Sequence, residues 1–184
     1  MKNVKDIKVL SLAALGLFIS LIVSNTISKY GYEFQGSFIM LSVYTFPFTF
    51  FFSNMITKKY GIEKTLSILF YTIVLQTVFY MFSNILGTPM DSSTLLASLT
   101  AFGISQLTNI VIYSGIAQQK TENKHFLSIL FTYFLVLIID SFVYFLAQDL
   151  AFNATLLYCT LIKFGVATVL ALLQVKFFDK LSTK

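Results

Sequence analysis

The chain has no tryptophan, one cysteine, one histidine and two prolines in 184 residues, and its 13 basic residues are all lysine. Only 11% of the residues are charged. Each shortage excludes something. Cys159 has no second cysteine to pair with, and with His125 as the single histidine no Cys/His metal cluster can be assembled. No metal and no cofactor is therefore expected. There is no His-Glu-x-x-His motif, and the run from Gly61 to Thr65 is too short for a Gly-x-x-x-x-Gly-Lys phosphate loop. The chain therefore cannot hydrolyse ATP by itself and is not read as an enzyme; no catalytic residue is assigned. So little charge also leaves too little polar surface for a soluble domain of this length.

What is present is apolar: 57% hydrophobic residues, with 21 Phe and 10 Tyr. A helix needs roughly 20 mainly apolar residues to cross a bilayer. Six stretches qualify, about 9–28, 37–56, 65–86, 94–116, 126–147 and 155–177. The links between them hold the turn residues, such as Gly87-Thr88-Pro89, and most of the charge. The first stretch, "VLSLAALGLFISLIV" after three lysines, resembles a signal peptide. The following "SNTIS" has no Ala-x-Ala-like cleavage site, so it reads as a retained span.

Lysines set the orientation. Lys2, Lys5 and Lys8 precede span one; Lys58, Lys59 and Lys64 separate spans two and three. Lys120 and Lys124 separate spans four and five, and Lys176, Lys180 and Lys184 close the chain. The alternate links hold Lys29 with Glu33, Asp91 and Asp149. This is a positive-inside pattern. It predicts an all-α membrane protein, one six-transmembrane-helix bundle over 1–184 with both termini cytoplasmic and the lipid bilayer as its surroundings. The +5 net charge is accounted for by topology, and no nucleic-acid partner follows from it.

Two charges fall well inside spans, away from their ends. Asp140 lies in "LFTYFLVLIIDSFVYFLA", and Lys163 lies in span six. A carboxylate at a span centre costs about 2.5–3.5 kcal/mol, which the surrounding Leu, Ile, Phe and Val offset at about 0.3–0.6 each. Insertion is thus allowed, but the charge still needs a reason. Counted from the link between spans five and six, both residues sit roughly 10–12 Å below the outer surface. A short hairpin makes the two helices neighbours, so the charges can meet at equal depth. One reading is an ion bridge that only fixes register. The other is a substrate path, which is where intramembrane ionisable residues more often lie.

Helical periodicity favours the path. Tyr133, Leu137, Asp140 and Tyr144 share one stripe of span five, and Phe102, Gln106, Asn109 and Tyr113 share one of span four. Such a mixture of aromatic plates with amide and carboxylate groups suits a flat, polar, hydrogen-bonding ligand. The amides could equally hold helices together. Ala97, Ala101 and Ser105 recur at four-residue spacing and permit close helix approach. Pro47, near the middle of "YTFPFTFFFSN", deprives a carbonyl of its donor, a gap that transporters place at binding sites.

The chain resembles the queuosine-precursor transporters, vitamin-uptake-like integral membrane proteins, over nearly all its length. The resemblance rests on Asn25 and Lys29 in "VSNTISK", Pro47, Thr49, Tyr60 and Gly61 in "FPFTFFFSNMITKKYG", and Ala97, Ser98, Ala101, Phe102 and Gln106 in "ASLTAFGISQLTN". Asp140 in "IDSFVYF" and Lys163 complete it. Asn54 and Asn109 stand where the family usually has Asp, Lys58 where it usually has Glu, and Ser93 or its neighbour where Arg is common. The resemblance implies a multi-pass protein of the bacterial cytoplasmic (inner) membrane that imports a 7-deazaguanine, the cyano or aminomethyl precursor or queuine, for tRNA modification. Asp140 would accept the ring N–H and amino group of the base as a bidentate pair. Gln106 and Asn109 would read its carbonyl and ring nitrogens, Phe102 or Tyr144 would stack on it, and Lys163 would hold Asp140 ionised. Asn25 and Pro47 join the expected substrate site. A substrate-binding subunit of an energy-coupling-factor vitamin transporter is the alternative. A homodimer, or coupling subunits that co-purify, would be its partners.

Overall fold

The computed structural model describes residues 4–85, 92–116, 122–148 and 154–182. Lys2, Lys120, Lys184, Asp91, Asp149 and the Gly87-Thr88-Pro89 link lie outside them. In order the chain forms helix α1 (Val4–Ile27), strands β1 (Gly31–Phe34) and β2 (Ser37–Met40), then helices α2 (Ser42–Thr45) and α3 (Pro47–Tyr60). Four long helices follow: α4 (Ile62–Ile85), α5 (Ser92–Ile116), α6 (Glu122–Ala147) and α7 (Ala154–Ser182).

Among the described residues, five helices are long and apolar enough to cross a membrane, in α1, α4, α5, α6 and α7. The expected second span, 37–56, is not one helix. Its first four residues pair with Gly31–Phe34 as an antiparallel hairpin, Gly31 opposite Met40. Gln35 and Gly36 form the turn at φ 49° and 75°, the two left-handed residues that a tight hairpin needs. The remainder divides at Pro47, which has no N–H to return to the preceding turn. Phe46 between α2 and α3 keeps helical dihedrals (φ −59°, ψ −40°), so α3 follows α2 without a reversal of the chain. Gly61, at φ 83°, then turns α3 back into α4.

Two ends of the bundle can be told apart. At one, the start of α1 meets the end of α3: Lys59 Nζ lies 2.9 Å from Asp6 Oδ1, and the Tyr60 hydroxyl donates to the Asp6 carbonyl at 2.6 Å. Lys58 approaches His125 of α6 there as well, at 3.3 Å. This is the lysine-rich end. At the other, the hairpin leans on α7. Ile39 packs with Val43 and Cys159, Phe34 meets the Tyr158 ring edge-on at 5.3 Å, and Tyr158 donates to Gln35.

Burial identifies the central element. Half of the apolar stretch of α5 is buried (50%), against 22% for α1 and α4. Large apolar side chains such as Leu12, Phe70, Tyr71, Val111, Phe131 and Val169 ring the outside, while Ser, Thr, Asn, Gln, Asp140 and Lys163 are inside. That inversion of the soluble-protein pattern fits apolar surroundings, where a buried polar group must find its partner within the protein.

Candidate functional site

Asp140 and Lys163 meet. Lys163 Nζ lies 2.8 Å from Asp140 Oδ2, and both are buried, at 8% and 2% exposure. The ammonium also donates to Ser141 Oγ at 3.1 Å, and it stands 5.2 Å over the Phe46 ring. Its three donor directions are thus taken by a carboxylate, a hydroxyl and a π face. Across the pair, Ser105 of α5 sets its hydroxyl 3.4 Å from Asp140 Oδ1. The small-residue stripe on α5 makes this approach possible: Ala97, Ala101 and Ser105 are all buried.

The pair lines a narrow cleft at the hairpin end of the bundle, with a cavity volume of about 30 Å³. Its wall takes Ser24 and Asn25 from α1, Ser28 just after it, Met40 from the hairpin, Ser42 from α2, Phe46 before α3, and Thr94, Ser98 and Ala101 from α5. Tyr144 of α6 completes it beside the ion pair. The space is narrow and takes single waters rather than a ring system. Ser98 donates to Asn25 Oδ1, which leaves the buried Asn25 Nδ2 with no hydrogen-bond partner. Tyr144 directs its hydroxyl to the Met40 sulfur at 3.8 Å. Bulk, hydroxyls, one spare amide donor and an ion pair thus surround one opening.

Of the residues expected from sequence, the structure gathers Asp140, Lys163, Tyr144 and Asn25 around this cleft. Phe102, Gln106, Asn109 and Pro47 are not on its wall. Phe102 is buried one layer deeper, edge-on to Phe46 at 6.3 Å. Gln106 donates to Thr49 Oγ1 at 3.0 Å, and Asn109 donates to Ser53 Oγ at 3.1 Å and to Asn54 Oδ1 at 2.8 Å. Both amides therefore face α3, not α6. Pro47 opens α3 directly after Phe46, the residue whose ring lies under Lys163. Residues the periodicity did not single out as ligand-facing include Ser24, Phe46, Ser105 and Ser141. Phe46, immediately before the proline, was the most findable.

Groups of three or more metal-ligating side chains are absent among the described residues. Comparison with family models, with curated proteins and with solved structures gives no significant match.

Proposed function

We propose that the chain is a membrane transporter that imports a flat nucleobase of the 7-deazaguanine type, a queuosine precursor. The observation that carries the reading is the buried Asp140–Lys163 pair on the wall of an opening at the hairpin end. A carboxylate accepts side-by-side N–H groups as a bidentate pair, the pattern of a guanine-like ring N–H and amino group. The base takes Lys163's place on Asp140, and the ammonium retains Ser141 Oγ and the Phe46 ring. Asn25 Nδ2, a buried donor without a partner, serves the base carbonyl, and Tyr144 lies against its face. The narrowness of the cleft makes this a closed resting state, so the Tyr144 and Phe46 rings must turn for entry.

The transporter crosses a bacterial cytoplasmic membrane six times. The α2–α3 unit, 19 residues from Ser42 to Tyr60 and about 28 Å of helix, makes the sixth crossing. Both termini and the lysine-rich end are cytoplasmic, as the loop lysines require, and the hairpin faces outward. A complementation assay tests the function. Cells unable to make the precursor express the chain, receive candidate bases, and are assayed for queuosine in their tRNA. Restoration with at least one 7-deazaguanine, lost in Asp140→Asn at equal membrane expression, is expected. No restoration with any of them overturns the proposal.

A further inference from the structure

Beneath the cleft, towards the lysine-rich end, lies a second set of polar side chains. Gln106, Asn109 and Tyr113 of α5 face Asn54 of α3, Tyr133 of α6 and Gln174 of α7, and all six are buried. They form a partial network. Asn109 donates to Asn54 and Ser53, Tyr133 donates to Gln174 Oε1, and Gln106 donates to Thr49. Yet Gln106 Oε1 and Asn109 Oδ1 have no hydrogen-bond partner, while the Tyr113 hydroxyl faces Gln174 and the Tyr133 hydroxyl faces Asn54 through longer contacts. Native interiors leave few such atoms, and each costs about 1–3 kcal/mol if nothing meets it. Two open acceptors, one helical turn apart and ringed by buried amides and hydroxyls, describe a place that something polar and neutral occupies. No charged side chain is among the six, so neither an anion nor a cation finds a counter-ion there.

Between cleft and cluster stands a layer of rings. Phe46 packs edge-on against Phe50 at 5.6 Å and against Phe102 at 6.3 Å, and Phe50 reaches Tyr133 at 6.4 Å. We infer that the bundle holds a second, deeper binding site, an amide-lined chamber behind this aromatic partition, for an uncharged hydrogen-bonding solute with its waters. Resting on the transport reading, the solute is the same base, in its uncharged 7-cyano form, on its way to the lysine-rich side. Asp140 selects it by two N–H groups, and the chamber passes it on without a charge to hold it. The partition separates the two stations, so the base leaves the carboxylate before it meets the amides.

Cysteine accessibility tests this in the full-length protein in native membranes, with Cys159→Ser as background. A small, neutral, membrane-permeant methanethiosulfonate reacts with Asn109→Cys and with Asn54→Cys. A control, Ala167→Cys, sits in the fully buried apolar core. Both chamber cysteines are expected to react at least about tenfold faster than the control, since thiol reactivity follows access. Added 7-cyano-7-deazaguanine, the uncharged base, should slow them. Rates equal to the control at both positions, in protein that elutes as a folded species, overturn the chamber, whatever the complementation result. Fast reaction that no 7-deazaguanine slows overturns the assignment of the base to the chamber, while Asp140-dependent uptake is judged separately by the tRNA assay.

Discussion

Lys163→Met is the most informative single change. It removes the ammonium that lies 2.8 Å from Asp140 Oδ2 and leaves a carboxylate that is 2% exposed facing the Ser105 hydroxyl at 3.4 Å. Breaking one side of a buried pair costs about 3–5 kcal/mol, because the remaining charge has lost its counter-ion without gaining water. For a chain of this size that lowers Tm by on the order of 10 °C. Asp140→Asn is milder, since Lys163 keeps Ser141 and the Phe46 ring. The double variant Asp140→Asn/Lys163→Met carries no buried charge and should return to within about 1–2 kcal/mol of the parent. The assay pairs thermal unfolding in one detergent with base uptake in cells. Stability should fall in Lys163→Met and recover in the double variant, while uptake stays lost in both. A double variant that transports at the parental rate would refute the role of the charges in substrate binding and leave them a register device. Parental stability in Lys163→Met would refute the desolvated pair itself.

Topology is open to a direct check: alkaline phosphatase inserted between Gln35 and Gly36 should be active, and the same enzyme fused after Lys184 should not; the opposite pattern would invert the assignment of ends. Phe46→Leu keeps most of the apolar volume but removes the ring 5.2 Å beneath Lys163. It should cost about 0.5–2 kcal/mol of cation–π attraction, and an equal cost in the Lys163→Met background would show that the ring does not act on the cation. Gly31→Ala would set a Cβ 2.3 Å from the Ile39 carbonyl oxygen. The hairpin must shift, at about 1–3 kcal/mol, and amide exchange from Tyr32 to Ile39 should rise; unchanged exchange would count against the close approach.

Much of this was legible before any coordinates. Depth along a helix is fixed by residue count, so two charges equidistant from a short link meet, and Asp140 and Lys163 do. Which way a stripe faces is not fixed by its own helix. Phe102, Gln106, Asn109 and Tyr113 do share a face of α5, but that face meets α3 and α7, whereas Ser105, one residue and 100° away, meets Asp140. The Tyr133 to Tyr144 stripe of α6 is divided along its length, with Tyr144 at the cleft and Tyr133 bonded to Gln174 on α7. Asn25 and Ser98 are 73 residues apart, and no local pattern joins them. The second span misled for a different reason. Its composition is apolar throughout, and apolarity does not distinguish Ser37–Met40 as a strand from a turn of helix. The Gln35-Gly36 turn and Pro47 were the signals that the stretch is three elements.

Why the interior is polar at all is the question these features answer together. Between helices in lipid there is no hydrophobic drive, and small residues with a few hydrogen bonds suffice to hold a bundle. Polar side chains kept only as fasteners would be expected to come in satisfied pairs, as Thr57 and Thr65 do at 3.1 Å. The axis of this bundle is different. At the hairpin end it holds an ion pair, a device that well-packed apolar residues commonly match or better in stability, beside an amide donor with no acceptor. Deeper in, it holds two further amide oxygens without partners, on Gln106 and Asn109. Fastening accounts for the bonds that are made and not for the ones left open. A solute that meets first a carboxylate and then amides, and completes at each station the bonds the protein leaves open, accounts for both.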